Sequence, residues 1–382
     1  MKYVIINIVI VLFSTCSINS QSNEIIKNEN ILEIDMSNFE KYKPTPNLIL
    51  SVDYVPLETK SNCLIGEISK LIYHDEKIFV GDFRYSNAIF IFNKTGQYIN
   101  KIDRLGKGPG EYIYLSDFDV NNNNIYIYAV NKILIYSFKG ELIKELPIDI
   151  KALGFSVTSS EEFVFYKYIK NKNISYNVVT YNYKTKIMNK YFANRGNLDN
   201  RNIPHFSRAL FKSNNNIYFG NSFSNYIYRF FPDGKVKEYL RLTNIESLLP
   251  SNKDIEKLLN TDINYSKGIE FNKFKGFKSF YENNDTMYFS IDYNNKIYCY
   301  RYLKDSFKLD LFEFNEPDLY FSLDYFSIWN EGFISYIPSY RFSKDNLNFI
   351  IKNSNSQRIK STFLNLNSQS NPVIAFIRVN NN

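Results

Sequence analysis

Short apolar segments separated by polar turns recur along most of the chain. In the clearest copy, the apolar segments 78–82, 88–92 and 98–99 alternate with the polar turns 84–87 and 94–97. A further apolar segment precedes most copies, so that a unit contains four strands at a spacing of about 40 to 50 residues, as in β-propeller blades. Similar units begin near residues 125, 163, 217, 287 and 333. The pattern therefore predicts an all-β fold, a six-bladed β-propeller with four-stranded blades.

Each end of the repeat region carries one more apolar segment, at residues 48–55 and 371–379. A propeller leaves two blade edges open unless a strand from the other end of the chain completes the ring. We therefore expect these two segments to lie side by side in the sixth blade. A β-sandwich, the competing all-β fold, predicts no such repeat.

Two insertions interrupt the repeat. Between the fourth and fifth units, Ser251 to Asp254 form a capping-box pattern, and Ile255, Leu258 and Leu259 follow at helical spacing. This predicts one short helical insertion between blades four and five, within residues 244–272. A second insertion, rich in Asn and Ser, lies around residues 343–370.

The amino terminus has the pattern of an export signal. A short basic start precedes an apolar run at residues 4–13, which is too short to span a bilayer of about 30 Å as a helix. The residues that end at Cys16 are similar to a bacterial lipobox, which predicts cleavage before Cys16 and lipidation of its thiol. Cleavage after Ser20 by the ordinary signal peptidase is the alternative. We expect residues 1–20 to be the signal peptide, 21–47 a linker and 48–382 the propeller, located in the periplasm or at the outer membrane.

The amino-acid composition restricts the possible functions more than it restricts the fold. Aromatic residues make up 17% of the chain and suit half-buried strands. The net charge is +7, but both signs are spread along the chain without a basic stripe, so no nucleic-acid partner is expected. Beyond Cys16 only Cys63 and Cys299 remain, either as a disulfide of an oxidising compartment or as two buried thiols.

The chain resembles the six-bladed β-propeller lipoproteins of Gram-negative envelopes, whose blades are related to NHL repeats. The resemblance covers roughly residues 48 to 380, and its sharpest element is the Gly-x-Gly-Pro-Gly-Glu-Tyr segment at residues 106–112. The Asn-Pro-Val at residues 371–373 is similar to the closing strand of that family. The resemblance implies a fold and an envelope location, and it supplies no activity and no site.

The Gly-rich segment is one candidate binding site. Its backbone amides, together with Arg104 and Lys107, could form a nest for an anion. It lacks the P-loop pattern. The alternative, which we favour, is that the glycines supply unusual backbone angles for a crossover between blades, with Glu111 bonding locally.

Asp117 and Asp119 are a second candidate. They share one face of a strand that should be the innermost of the second blade, so both carboxylates could reach the central channel. A paired-carboxylate hydrolase is conceivable on that basis. We favour the alternative that these carboxylates cap neighbouring structure.

The other titratable residues give little sign of catalysis. His74 and His205 stand in turn or loop positions, and neither belongs to a string of metal ligands, so we expect no zinc or EF-hand site. Two classes of function remain. The preferred one is a non-catalytic, monomeric binding or scaffold module for a protein, peptide or glycan, without a cofactor and with membrane contact only through the lipid anchor. The other is a lactonase, lyase or hydrolase with carboxylates and calcium at the channel mouth.

Overall fold

The structure, a computed structural model, describes most of the repeat region. The described residues are 20–22, 31–167, 176–193, 209–213, 215–231, 235–251, 253–254, 273–294, 296–312, 327–329, 331–353 and 357–380. Cys16 and His205 lie outside them, as does most of the helical insertion predicted after Ser251. Within the described part, Ser251 and Asp254 make the bonds of a capping box: the Ser251 amide donates to Asp254 Oδ2 at 2.8 Å, and the Asp254 amide donates to Ser251 Oγ at 3.3 Å.

Twenty-six strands and two α-helices lie in the described residues. In chain order the strands are β1 (Ser20–Ser22), β2 (Leu32–Asp35), β3 (Ile49–Pro56), β4 (Lys70–His74), β5 (Lys77–Asp82), β6 (Ala88–Asn93), β7 (Tyr98–Ile102), β8 (Asp117–Asn121), β9 (Asn124–Tyr128), β10 (Lys132–Ser137), β11 (Leu142–Pro147), β12 (Gly154–Val157), β13 (Glu162–Tyr166), β14 (Tyr176–Asn182), β15 (Met188–Ala193), β16 (Leu210–Ser213), β17 (Asn216–Gly220), β18 (Tyr226–Phe230), β19 (Val236–Thr243), β20 (Phe274–Glu282), β21 (Thr286–Tyr293), β22 (Lys296–Leu303), β23 (Lys308–Leu311), β24 (Ser327–Trp329), β25 (Gly332–Ile337) and β26 (Val373–Val379). The helices are α1 (Lys344–Asn353) and α2 (Gln357–Phe363).

The strands form six antiparallel four-stranded blades arranged in a ring, which confirms the predicted six-bladed β-propeller. Blades 1 to 5 are made from consecutive strands, β4–β7, β8–β11, β12–β15, β16–β19 and β20–β23. The first strand of each blade lies at the central channel. Middle strands such as β9 and β13 are almost wholly buried, because each blade packs on a neighbour with both faces. Their sequences are therefore continuously apolar rather than alternating. Six buried apolar clusters, one at each seam between neighbouring blades, form the core.

The two ends of the chain close the ring as the sequence predicts. Blade 6 has the order β24-β25-β26-β3, and β26 pairs with β3 in antiparallel register from Val373 opposite Pro56 to Val379 opposite Ile49. Asn371, only 1% exposed, secures this junction, because its amide nitrogen donates to the carbonyl oxygens of Glu58 and Cys63 at 2.7 and 2.8 Å. Asn371 of the Asn-Pro-Val segment thus has a structural role, since a buried amide must be hydrogen-bonded.

The segment before β3 contributes two strands that pair with the outer strands of other blades. β1 adds a parallel strand to the outer edge of blade 3, and β2 adds one to the outer edge of blade 4. The amide of Thr45 then donates to the Leu311 carbonyl at the outer edge of blade 5 at 2.9 Å. β1 and β2 therefore cover the outer edges of blades 3 and 4, which blocks edge-to-edge association there, and a single backbone bond from Thr45 reaches the edge of blade 5.

The Asn- and Ser-rich insertion predicted near residue 343 is helical. It joins β25 to β26 and contains α1 and α2. Phe342, Leu347 and Phe363 are buried from it into the apolar cluster between blades 5 and 6, where Phe363 meets Tyr54 edge-on at 5.3 Å. No helix among the described residues has the length and the apolar character that crossing a membrane requires.

Both internal cysteines are buried free thiols, so of the two alternatives for Cys63 and Cys299 the disulfide is wrong. Cys63 belongs to the apolar cluster between blades 6 and 1, whereas Cys299 belongs to the cluster between blades 5 and 6. Burial raises the pKa of the Cys299 thiol to about 12, and it also raises the pKa of Cys63. Both side chains act as small apolar core residues.

Candidate functional site

The inner strands of all six blades surround a cavity of about 560 Å³ on the ring axis. This volume lies within the range of about 300–1,000 Å³ that is usual for small-molecule sites. Asp75, Asn215 and Asn283 border the cavity from the turns that directly follow three inner strands, and all three are exposed. The cavity therefore opens at the carboxyl-terminal ends of the inner strands.

Asp117 lies on the inner strand of blade 2, as predicted, and it joins three blades. Its Oδ1 accepts a hydrogen bond from Lys70 Nζ of blade 1 at 2.9 Å. Its Oδ2 accepts the backbone amide of Phe155, in the inner strand of blade 3, at 2.8 Å. The carboxylate is thus fully engaged in holding neighbouring blades together.

Asp119 repeats this arrangement one pleat further along the strand, with more partners. Its Oδ2 accepts from Ser156 Oγ and from the Val157 amide, each at 2.8 Å, and from Lys212 Nζ at 2.9 Å. Because Lys212 belongs to blade 4, its side chain reaches past blade 3, and it also donates to the Val120 carbonyl at 3.0 Å.

The environment of Asp119 keeps its carboxyl ionised. Burial raises the pKa, but the charges of Lys212 and Lys70 and the hydrogen bonds from Val157 and Lys212 outweigh burial, so the pKa lies below its usual value. A general acid needs a pKa near the working pH, which for a carboxyl requires an upward shift. Asp119 is therefore suited to bracing the blades and unsuited to donating a proton.

Glu282, at the end of the inner strand of blade 5, is a third buried carboxylate on the cavity wall. It accepts hydrogen bonds from the hydroxyls of Tyr218 and Tyr239 of blade 4, the latter at 2.5 Å, and from Lys304 Nζ at 2.8 Å. Burial and the adjacent carboxylate raise the pKa of both tyrosines. This cluster joins blades 4 and 5 as the aspartates join blades 1 to 4.

The opposite side of the cavity is aromatic. Tyr73 of blade 1, Trp329 of blade 6 and Tyr281 of blade 5 border it, and each is half-buried. Tyr73 and Trp329 both meet Phe376 edge-on, with ring centroids 5.2 and 5.4 Å away. We call Tyr73, Tyr281 and Trp329 the aromatic wall. We call the side formed by Lys70, Asp119, Ser156 and Lys212 the polar wall.

The Gly-rich crossover does not form an open anion nest. The amide of Gly108 donates to Glu111 Oε2 at 2.8 Å, and the amide of Gly110 donates to Glu145 Oε2 at 2.9 Å. The chain's own carboxylates thus occupy these amides, in agreement with the local role favoured for Glu111. Arg104 and Lys107 are exposed. The crossover precedes the inner strand of blade 2, so it lies at the end of the channel remote from the cavity mouth.

The glycine at position 110 is required by its backbone. Its φ of +74° is unfavourable for other residues, and a Cβ there would lie 2.8 Å from the Leu142 side chain. The crossover motif therefore follows from the packing between blades 1 and 2.

The described residues contain no group of three or more His, Cys, Asp and Glu side chains placed to hold an ion. His74 borders the cavity, but one of its ring nitrogens is 2.8 Å from the Asn122 carbonyl oxygen, which ties it to blade 2.

The structure places Asp117 and Asp119 on the inner strand of blade 2, as predicted, but of the two only Asp119 borders the cavity. The aromatic wall was not predicted. Of the three aromatic-wall residues, only Trp329 stands out in the sequence, because it is the single tryptophan of the chain. Nothing in the local pattern around Tyr73 or Tyr281 distinguishes them from the many strand tyrosines that pack between blades.

Comparisons with known proteins agree with this architecture. A crystal structure from Bacteroides fragilis, of a protein described as a presumed exported protein, is 18% identical with a TM-score of 0.68, covering 92% of this chain and 99% of that one. A DUF4221 family member from Bacteroides vulgatus is 9% identical with a TM-score of 0.54, covering 87% of this chain and 98% of that one. At these identities the likeness shows the fold alone.

No curated protein matches the chain. The family described as "Domain of unknown function (DUF4934)" matches residues 27–378, which include every strand except β1 and the last residue of β26. The chain belongs to the DUF4934 family.

Proposed function

We propose that this propeller is a non-catalytic binding or scaffold module of the cell envelope, which receives a protein, peptide or glycan ligand at its channel cavity. The observation that carries the proposal is the state of the cavity carboxylates. Asp119 and Glu282 border the cavity, and Asp117 lies beside Asp119 on the same strand. Each is buried and accepts hydrogen bonds from a lysine and from at least one further group of a neighbouring blade.

A hydrolase needs carboxyls that can change protonation state or attack a substrate. Here these groups are committed to joining blades, whereas the cavity itself has the size and the mixed polar and aromatic lining of a ligand site. Binding therefore fits the geometry better than the calcium-dependent enzyme. Arg104 and Lys107 have no place in this cavity, and we assign them no ligand.

The envelope location rests on the amino-terminal sequence, and the described export of the Bacteroides fragilis protein of similar fold supports it. We propose lipidation at Cys16, attachment of the propeller as a monomer, and no contact with the membrane other than the lipid. In cells that express Cys16→Ala, the protein should leave the membrane pellet for the soluble fraction. If the variant still sediments with membranes, the lipid anchor is wrong.

The binding function is tested on the full chain isolated from envelopes. Thermal unfolding is measured against calcium, oligosaccharides and peptides, and each ligand that raises the Tm is recovered and weighed by mass spectrometry. We expect a rise in Tm with the ligand recovered unchanged. Recovery of cleaved or isomerised ligand would establish the enzyme instead. A calcium-dependent rise that Glu282→Gln abolishes would show that the cavity binds the ion that the enzyme alternative requires, and would overturn the preference for a module without calcium.

A further inference from the structure

We propose that the channel cavity is a saccharide site, which takes a short, uncharged oligosaccharide with its rings against the aromatic wall and its hydroxyls against the polar wall. This assignment rests on the proposed binding function and adds the class of ligand. It is carried by the arrangement of the two walls, the charge of the cavity and the state of the inner edge of β12.

The aromatic wall offers rigid, partly solvent-facing rings. Tyr73 and Trp329 lie on adjacent inner strands, since the Tyr73 amide donates to Ser327 Oγ at 3.2 Å. Phe376 meets both rings nearly at right angles, with interplanar angles of 84° and 80°, and so fixes their orientation. Fixed aromatic faces combine an apolar body with a polar edge at little cost in conformational entropy. The apolar C–H face of a pyranose ring is a suitable partner for such a surface.

The polar wall offers both donors and acceptors. Among the described contacts, Lys212 Nζ uses two of its three N–H groups, on Asp119 and on the Val120 carbonyl. Ser156 Oγ donates to Asp119, which leaves its lone pairs as acceptors toward the cavity. A sugar hydroxyl is a donor and an acceptor at once, so it can bond to either kind of group without leaving a buried polar atom unpaired.

The charges of the described residues that border the cavity balance. Lys70, Lys212 and Lys278 contribute three positive charges among them, and Asp75, Asp119 and Glu282 contribute three negative charges. An ionised ligand would lose its hydration without meeting an opposite net charge, which is unfavourable. The balance therefore favours a neutral ligand over an acidic sugar, a nucleotide or a charged peptide.

The inner edge of β12 is poorly suited to an extended peptide. Peptides commonly bind by adding a strand to a free sheet edge through main-chain hydrogen bonds. On β12, however, the amides of Phe155 and Val157 are already bonded to Asp117 and Asp119. The donors that a peptide strand would need on that edge are occupied.

Trp329 is the only tryptophan in the chain, so its fluorescence reports directly on the cavity. The full chain is titrated with neutral hexasaccharides of glucose, xylose, mannose and N-acetylglucosamine, with a galacturonic acid hexamer, and with neutral decapeptides. We expect a saturable change in Trp329 emission with at least one neutral hexasaccharide, and at least tenfold weaker binding of the acidic hexamer.

Calorimetry on variants localises the binding. Trp329→Ala should weaken the affinity for that hexasaccharide at least tenfold, and Ser156→Ala severalfold. Tyr340→Ala is the matched control, because Tyr340 is 74% exposed on the insertion of blade 6 and does not border the cavity. Its affinity should equal that of the wild type. A folded Trp329→Ala protein with unchanged affinity overturns the site.

The possible failures are distinguishable. If peptides change Trp329 emission and no neutral hexasaccharide does, the saccharide assignment is wrong and the binding function stands. If a hexasaccharide binds and is recovered cleaved, the saccharide site stands and the non-catalytic function is wrong. If no neutral hexasaccharide binds at all, the saccharide assignment is overturned.

Discussion

The polar wall and the aromatic wall of the channel differ in how far their side chains are bonded to neighbouring blades. On the polar wall, side chains from blades 1 to 4 are bonded to one another, so their charges contribute to holding the ring together. On the aromatic wall, Tyr73, Tyr281 and Trp329 from blades 1, 5 and 6 keep part of their surface in the cavity. The difference suggests a division of labour, in which changes in the polar wall mainly affect folding and changes in the aromatic wall mainly affect binding.

The largest effect should come from Asp119→Ala. The substitution removes the acceptor of Ser156 Oγ, the Val157 amide and Lys212 Nζ and leaves the lysine without its carboxylate. Breaking one side of a buried ion pair costs about 3–5 kcal/mol, and we expect a loss of that size in the free energy of unfolding by urea denaturation. Asp75→Asn, at an exposed carboxylate paired with Lys77, is the control, because Asn also suits the φ of +48° at this turn, and it should leave this free energy almost unchanged. If both variants have the same free energy of unfolding, Asp119 contributes no more to the stability of the ring than an exposed carboxylate does.

Acid should remove the contribution of Asp119. Its pKa is lowered in the folded protein, so the ionised carboxylate stabilises the fold at pH values above the unfolded pKa of about 3.9. That contribution is lost as the pH falls through the lower folded value. The difference in Tm between wild type and Asp119→Asn should therefore be largest near neutral pH and shrink below about pH 4. A difference that stays constant down to pH 2 would contradict the role given to this carboxylate.

A smaller loss should follow Lys70→Met. Asp117 accepts fewer hydrogen bonds than Asp119. When Lys70 is removed, Asp117 still accepts hydrogen bonds from the amides of Phe155 and Phe118. Leaving a buried charged acceptor with one partner fewer costs about 1–3 kcal/mol. Urea denaturation should show a loss within that range and below that of Asp119→Ala. A loss larger than that of Asp119→Ala would show that the Lys70–Asp117 contact stabilises the ring more than the contacts of Asp119 do.

The smallest effect on folding should come from the aromatic wall. Trp329→Phe keeps an aromatic ring beside Phe376, removes the indole N–H that donates to the Ile377 carbonyl at 3.4 Å, and reduces the ring area at the cavity. We expect a loss of about 1 kcal/mol in the free energy of unfolding, measured by circular dichroism because the tryptophan signal is gone. Ligand affinity measured by calorimetry should fall in the same variant. If the free energy of unfolding falls as much as in Asp119→Ala, the aromatic wall also holds the blades together.

The fold was readable from the sequence because its information is local. Each blade repeats its apolar segments and turns within a short stretch, and the closing segments were identified from the need to cover two blade edges. The coverage of blades 3 and 4 by β1 and β2 was not predicted. Those strands are short, and their pairing depends on outer strands more than a hundred residues away in the chain. The helices α1 and α2 were missed because their Asn and Ser content indicates a loop.

The site was less readable because its partners are distant. The spacing of Asp117 and Asp119 placed them on one face of an inner strand, which is correct. Their cations, Lys70 and Lys212, lie 47 and 93 residues away, and no local pattern connects such residues. The same holds for Tyr73 and Trp329, which meet through Phe376 only when the ring closes.

A crystal structure of the protein soaked with the hexasaccharide that changes Trp329 emission most strongly tests the central claim most directly. We expect an intact sugar chain in the channel, with a pyranose ring against Trp329 or Tyr281 and hydroxyls bonded to Lys212 or Ser156. Sugar found only on the outer surface or at the crossover end of the ring, with an empty cavity, would contradict the claim that the channel is the binding site.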